Sequence, residues 1–264
     1  MKQTIHTALK TAGDELLKYF GQPLDFSIKE SQSNIVTKAD LKSDSLISRL
    51  ISDKFPSHNI ISEESGFTNK NSEYTWVIDP LDGTSNFASA VPWFGVLITL
   101  LQNSVPIMGG AYLPVQNQLY FAEKGKGVFK NGVQIKMKGN IELKNSLISF
   151  SVDFTDNEPV LNESIGIYKN LVKASRNIRC TNSLVDFLYV AEGKFGGVVN
   201  LFTKIWDISG LGLIISEAGG VIKDINGSDL QFLLNDGVTE RNFAVMAGSE
   251  QIIGELTKVV LKKS

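Results

Sequence analysis

The sequence predicts a layered α+β protein that passes into an α/β half, and three observations carry that prediction. The first half of the chain reads as a meander of short apolar strands joined by glycine-containing turns. From about residue 147 onward, strand-like and helix-like segments alternate, a pattern that builds stacked sheets and helices. The chain has 264 residues, 42% apolar and 20% charged, enough for one large domain or two closely packed halves. We therefore expect a single domain over 1–264, with subdomains of approximately 1–140 and 141–264. The polar stretch MKGNIELKNS marks the division, near 138–146.

The elements follow in order. Ile5, Ala8, Leu9, Ala12, Leu16, Leu17 and Phe20 recur at helical spacing, so the first twenty residues form an amphipathic helix on a core. Asp14 and Glu15 weigh against a basic membrane-surface helix. Residues 21–36 are polar and aperiodic, a loop or short hairpin. A second helix covers 38–54, with Leu46, Ile47, Leu50 and Ile51 on one face. Strands follow around 58–62 and 74–79, then FGVLITLL (94–101) and VPIMGGAYL (105–113) as buried strands. Two short strands are expected in 117–135, where Asn131-Gly132 is a hairpin signal. In the second half, LISFSV (147–152) is a strand and 160–174 a helix. SRNIRC, SLVDFLYVAEG, FGGVVNL, WDISGLGLIISEAGG, VIKDI and FAVMAGS then alternate, before a last helix to about 262.

Composition narrows the function. A net charge of −2 offers no basic excess for a nucleic-acid surface. The single cysteine, Cys180, cannot form an internal disulfide and fits a reducing compartment, so a cytoplasmic location is expected. With His6 and His58 as the only histidines, a Cys/His zinc site is nearly excluded. Both histidines are read as structural or surface residues. No segment is long and apolar enough to span a membrane.

The chemistry lies in the carboxylates. Residues 76–87 read WVIDPLDGTSNF. Pro80 biases the residue before it to an extended conformation and lacks an N–H, so Asp79 is expected to end a strand. Asp82 follows close enough to share a cation with Asp79. Gly83 permits a close backbone approach, and Thr84 and Ser85 can open a short helix whose N–H groups favour an anion. Carboxylates beside a phosphate-binding turn repel the phosphate unless cations lie between them. Glu63 and Glu64 follow an apolar strand, and Asp207 stands at the start of an apolar helix, where taken alone it reads first as a helix N-cap. An all-oxygen set selects magnesium or manganese, and two such ions can clamp the attacking and leaving oxygens at phosphorus.

These residues carry a resemblance. The sequence resembles the inositol monophosphatase family of the lithium-sensitive, magnesium-dependent sugar phosphatase superfamily, through DPLDGTSNF (79–87), WDISG (206–210) and ISEAGGVIKD (215–224). The glutamate pair after FPSHNI and the segment NIVTKAD (34–40) also match, so the likeness runs along nearly the whole chain. The resemblance implies a layered αβαβα sandwich of the sugar phosphatase type and a magnesium-dependent phosphomonoesterase in which manganese can substitute. It implies that Glu63, Asp79 and the backbone carbonyl of Leu81 hold one ion. Asp79, Asp82 and Asp207 hold a second, and a third shares Glu63. It implies that Thr84, with Asp40, orients and deprotonates the attacking water. The backbone of Gly83–Ser85 holds the phosphate, and Lys29 belongs to a loop beside the metals. A homodimer is implied as well.

The pocket for the leaving alcohol departs from the family pattern. Asn200 stands seven residues before Asp207, where inositol-cleaving members carry a hydroxyl-binding glutamate. Asn182, Ser183 and Leu184 replace a Gly-Thr-Ala-type stretch. Inositol monophosphate is the first expectation for the substrate. Fructose 1,6-bisphosphate, histidinol phosphate and 3′-phosphoadenosine 5′-phosphate are the alternatives, and a non-catalytic regulatory binding protein on the same fold is a further one.

Overall fold

The computed structural model describes residues 1–22, 26–31, 34–137, 139, 141–235 and 237–262. The chain begins with α1 (Lys2–Leu17), then the antiparallel hairpin β1 (Phe26–Ser31) and β2 (Asn34–Thr37), then α2 (Lys38–Lys54). Next come β3 (Asn59–Ser62), β4 (Gly66–Thr68), β5 (Tyr74–Asp82) and the short α3 (Thr84–Ala88). The meander continues through β6 (Gly95–Gln102), β7 (Val105–Leu113), β8 (Gln118–Glu123), β9 (Val128–Lys130) and β10 (Val133–Ile135). The second half contains β11 (Leu147–Ser151), α4 (Glu158–Ala174), β12 (Asn177–Arg179), α5 (Leu184–Ala191) and β13 (Gly197–Thr203). It closes with α6 (Ile205–Glu217), β14 (Val221–Asp224), β15 (Phe243–Gly248) and α7 (Glu250–Val260).

Besides the β1–β2 hairpin, two sheets organise the molecule. The first has eight strands in the order β10-β9-β8-β7-β6-β5-β3-β4, and the second has five in the order β12-β11-β13-β15-β14. Side chains alternate between the faces of the first sheet, as a pleat requires. Trp76, Ile78, Val96, Ile98 and Leu100 pack with Ile5, Leu9, Leu16, Ile47 and Ile51 of α1 and α2. Val77, Leu97 and Leu101 point the other way, into a core with α5, α6 and the inner face of the second sheet. The outer face of the second sheet packs on α4 and α7 through Ile148, Phe150, Ile167, Leu171, Ile252 and Leu256. The layers are therefore αβαβα. Strands covered on both faces explain continuous apolar runs such as FGVLITLL. The apolar circumference of α6 follows from its place between two sheets.

Several expectations are refined. The hairpin alternative for 21–36 is the observed one. Three strands occupy 117–135 instead of two, because Asn131 and Gly132 make the expected turn between β9 and β10 while β8 pairs separately with β9. The short β4 carried no period-2 signal and was not expected. Residues 138 and 140, inside the expected division, lie outside the described residues. His58 is structural. Its Nδ1 accepts the Trp76 Nε1–H at 3.1 Å, and its ring stacks on Phe55 and Tyr74. Among the described residues, no helix is long and apolar enough to cross a membrane.

Two glycines set the depth at which α6 sits on the first sheet. The α-carbon and carbonyl of Gly210 approach Gly109 of β7 so closely that a Cβ at Gly109 would stand 3.0 Å from the Gly210 oxygen. A Cβ at Gly210 would overlap Thr99 Oγ1 on β6, a β-branched side chain with little freedom to move aside. We expect Gly210→Ala to destabilise the protein by about 1–3 kcal/mol through overpacking. Denaturant unfolding measures this, and an unchanged midpoint would contradict the packing described.

Candidate active site

The WVIDPLDGTSNF segment builds the floor of the site through a strand irregularity. Asp79 was expected to end its strand, but β5 runs on to Asp82. Asp79 opposes Leu97 and Asp82 opposes Gly95, so three steps along β5 match two along β6. This one-residue bulge absorbs Pro80, which cannot donate to the ladder. The Asp79 Oδ1 accepts the Leu81 N–H at 3.0 Å inside the bulge, and the Pro80 carbonyl accepts Ser43 Oγ of α2 at 2.7 Å. Gly83 then turns the chain at φ 82, a conformation that favours glycine, and a Cβ there would meet the Trp93 carbonyl at 2.6 Å.

Asp207 arrives from the other half of the chain. It is not the N-cap of α6 but its third residue, and its Oδ2 accepts the backbone N–H of Lys204, the N-cap, at 2.6 Å. Ligand oxygens of Asp79, Asp82 and Asp207 lie within 4.8 Å of one another. Glu63 follows β3 directly, its N–H donating to the Ile78 carbonyl at 3.2 Å. Its Oε1 accepts Lys29 Nζ of β1 at 2.9 Å, and Lys29 also pairs with Glu64.

The electrostatics record a crowd of like charges. Burial first, then Glu63, Asp82 and Asp207, hold the Asp79 carboxyl well above the usual carboxylate range. Asp207 is raised in the same way by burial and then by Asp82. Asp82 is pushed up to about 7, chiefly by burial and against the hydrogen bond from Leu184. Burial also raises Glu63, against the pull of Lys29. Four carboxylates converge here, and among the described residues Lys29 is the ammonium group paired with one of them. That charge imbalance, on oxygen atoms alone, is what divalent magnesium or manganese would relieve, so the residues fit the ions the sequence implied.

Beside the cluster, Thr84 Oγ1 stands 3.1 Å from Asp40 Oδ1 and 3.0 Å from the Leu81 carbonyl. Asp40 is buried at the start of α2 in a capping box with Thr37, whose backbone N–H donates to Asp40 Oδ2 at 2.8 Å. One oxygen of Asp40 is thus fixed by the helix and the other faces Thr84. Burial raises the Asp40 carboxyl despite these donors.

A cavity of about 410 Å³ opens above these groups. Lys29, Glu63, Asp79, Leu81, Asp82, Gly83, Thr84, Ser85, Asn182, Ser183, Leu184, Asn200 and Asp207 all line it. Of the residues singled out in the sequence, Asp40 lies just behind this wall. Asp153, Phe154, Phe202, Lys204, Thr239 and Asn242 line it too, and no motif marks them in the sequence. A further residue, Asp186, was also missed. Its buried carboxylate accepts the backbone N–H groups of Thr181 and Asn182, which holds Asn182 at φ 50. The next turn then directs the Leu184 N–H onto Asp82 Oδ1 at 2.6 Å. The pattern TNSLVD, with an acid five residues after Thr181, is the one trace of this in the sequence.

A five-layer αβαβα fold with converging carboxylates beside a hydroxyl–carboxylate pair defines a hydrolase of phosphate monoesters. The sequence profile of the inositol monophosphatase family matches residues 1–261, and the chain belongs to that family. It is 36% identical over 217 residues to the fructose-1,6-bisphosphatase/inositol-1-monophosphatase of Aquifex aeolicus, covering 80% of each chain. It is 30% identical over 261 residues to the putative Nus factor SuhB of Neisseria meningitidis serogroup B, covering 97% of this chain and 96% of that one. Among solved structures, the extragenic suppressor protein SuhB of Bartonella henselae superposes with a TM-score of 0.89 at 27% identity. That match covers 100% of this chain and 99% of the other.

Proposed function

We propose that this protein is a magnesium-dependent phosphomonoesterase for a small phosphorylated alcohol. The observation that carries the reading is the convergence of Glu63, Asp79, Asp82 and Asp207 on one cavity wall, where Lys29 pairs with Glu63. Glu63, Asp79 and the Leu81 carbonyl would hold one ion, Asp79, Asp82 and Asp207 a second, and Glu63 a looser third. Such ions supply charge neutralisation at the phosphate and a more acidic bound water.

The chain's own groups do the rest. Thr84 has one hydroxyl proton and two acceptors within reach, Asp40 and the Leu81 carbonyl. When Leu81 is engaged as a ligand, Asp40 is left as the acceptor. The hydroxyl oxygen of Thr84 is then free to accept a proton from the attacking water, with Asp40 as the sink. The backbone of Gly83–Ser85 borders the same space and would seat the phosphate oxygens. Inositol monophosphate is the first ester to test, because it is the substrate in the family's name. A regulatory binding role alongside catalysis is a second reading, favoured by the name of the Neisseria relative. It would appear as partner binding that persists when Asp79 is changed to Asn.

The test is phosphate release with magnesium across a panel of sugar, inositol, nucleotide and amino-alcohol monophosphates. Thr84→Ala should lower kcat by about 10²- to 10⁴-fold with little change in KM, while Thr84→Ser retains most activity. A Thr84→Ala enzyme with normal kcat would remove Thr84 from the proton path.

A further inference from the structure

The outer half of the cavity has a chemistry that differs from the carboxylate floor, and reading it rests on the phosphatase assignment above. β13 carries a one-residue bulge. Asn200 opposes Val245 and Thr203 opposes Phe243, so three steps match two. Inside the bulge, Asn200 Oδ1 accepts the Phe202 N–H at 3.0 Å. That bond orients the amide: the oxygen faces the Phe202 N–H, and the Nδ2 donor is turned away from it as the group offered to a ligand. The glutamate implied at this position by the family resemblance would offer only acceptors. The polarity is reversed.

Two aromatic rings line the same cavity, Phe202 in the bulge and Phe154 just beyond β11. Phe154 is 48% exposed, so its ring is open to a ligand in the cavity. Next to it, the Asp153 carboxylate lines the cavity and accepts Asn182 Nδ2 at 2.9 Å. A second phosphate finds little here. Of the two lysines on the wall, Lys29 is held by Glu63 and Glu64, and Lys204 Nζ donates to the Glu240 carbonyl at 2.8 Å.

We propose that the leaving alcohol carries a planar, nitrogen-containing ring and a single phosphate. A ring acceptor would meet Asn200 Nδ2, a ring or side-chain donor would meet Asp153, and the ring face would lie against Phe154 and Phe202. A saturated polyol can meet the two aromatic faces only through its C–H groups, without ring-on-ring stacking. In the reaction the ester P–O bond breaks, water supplies the oxygen that phosphate gains, and the ring-bearing alcohol leaves with a proton.

The experiment measures kcat/KM with magnesium for two esters with planar nitrogen rings, histidinol phosphate and adenosine 3′-monophosphate (the ring esters), and for two with no planar ring, inositol 1-phosphate and glycerol 2-phosphate. It uses the wild type, Phe154→Ala and Asn200→Asp. The aspartate keeps an oxygen for the Phe202 N–H and removes the donor, so the bulge is preserved. At least one ring ester should exceed inositol 1-phosphate by roughly tenfold, and its ratio to glycerol 2-phosphate should fall about two- to tenfold in each variant. Inositol 1-phosphate cleaved as well as either ring ester, or ratios unmoved in both variants, would overturn the ring subsite and leave the phosphatase reading standing. No release from any of the four esters would overturn both.

Discussion

Asp79→Asn should slow phosphate release by at least about a hundredfold while leaving a folded protein. Asp79 is proposed to touch two ions, so its loss should exceed that of Asp82→Asn or Asp207→Asn, each of which touches one. The side chain is 2% exposed, and burying a carboxylate beside Glu63, Asp82 and Asp207 is unfavourable without cations. Asparagine removes one negative charge from that crowd. It also keeps an oxygen that can accept the Leu81 N–H, so the β5 bulge retains its internal bond. The metal-free variant should therefore unfold at a temperature at or above that of the metal-free wild type. Thermal unfolding in EDTA and steady-state kinetics in magnesium separate the two effects. Normal turnover would remove Asp79 from the metal site, and a variant that fails to fold would show that the carboxylate supports the strand instead.

The parts of the site legible in the sequence were those whose chemistry is local. DPLDGTS places two acids, a glycine and two hydroxyls within seven residues, and those positions do share one wall. The error about where β5 ends has the same local origin. Pro80 does break the ladder, but a single bulge costs the strand less than termination would when Asp82 can pair again with Gly95. Taken alone, without the other acids, Asp207 reads as an N-cap because an acid before an apolar helix usually is one. Its true place, at the third position of the helix, depends on Lys204 adopting an extended conformation as the cap.

What stayed hidden is non-local. The Leu184 N–H reaches Asp82 across 102 residues of sequence. Asp186 gives no motif of its own, since its work is to hold a turn whose left-handed residue is Asn182. Phe154 and Phe202 look like any aromatic residue near a strand end until the second sheet brings them to one cavity. The layer order was legible for a different reason. The αβαβα order was what the resemblance implied, while the residues alone showed an alternation of strands and helices that builds stacked layers; the two-sided burial of β5 and β6 and the all-round apolar α6 agree with it.

Removing divalent cations should abolish phosphate release, and it should leave a protein whose stability falls as pH rises. Asp82 is held up at about 7 in the fold, against an ordinary carboxylate value near 4 in the unfolded chain. The folded state therefore binds this proton more tightly than the unfolded state does. A group raised in this direction favours the fold fully below about pH 4 and loses that contribution as pH climbs to about 7. Asp79 and Asp207 are raised by the same burial and mutual repulsion and act in the same sense. Lys29 does not oppose them in this window, because its pairing with Glu63 and Glu64 raises it further above neutrality and it stays charged throughout. Magnesium competes with protons for the same oxygens, so its stabilising effect should grow across the interval in which metal-free stability declines. At a hundredfold excess over its Kd, an ion that binds only the folded state contributes about 2.7 kcal/mol. For a chain of this size that is a rise in Tm on the order of 5–10 °C. We expect this rise at pH 8 and little of it at pH 5. Thermal unfolding at a series of pH values, with magnesium and with excess EDTA, gives the two curves, and phosphate release under the same conditions gives the activity. Coincident curves would show that the buried carboxylates do not share their charge with a cation, and full turnover in EDTA would show that catalysis proceeds without one.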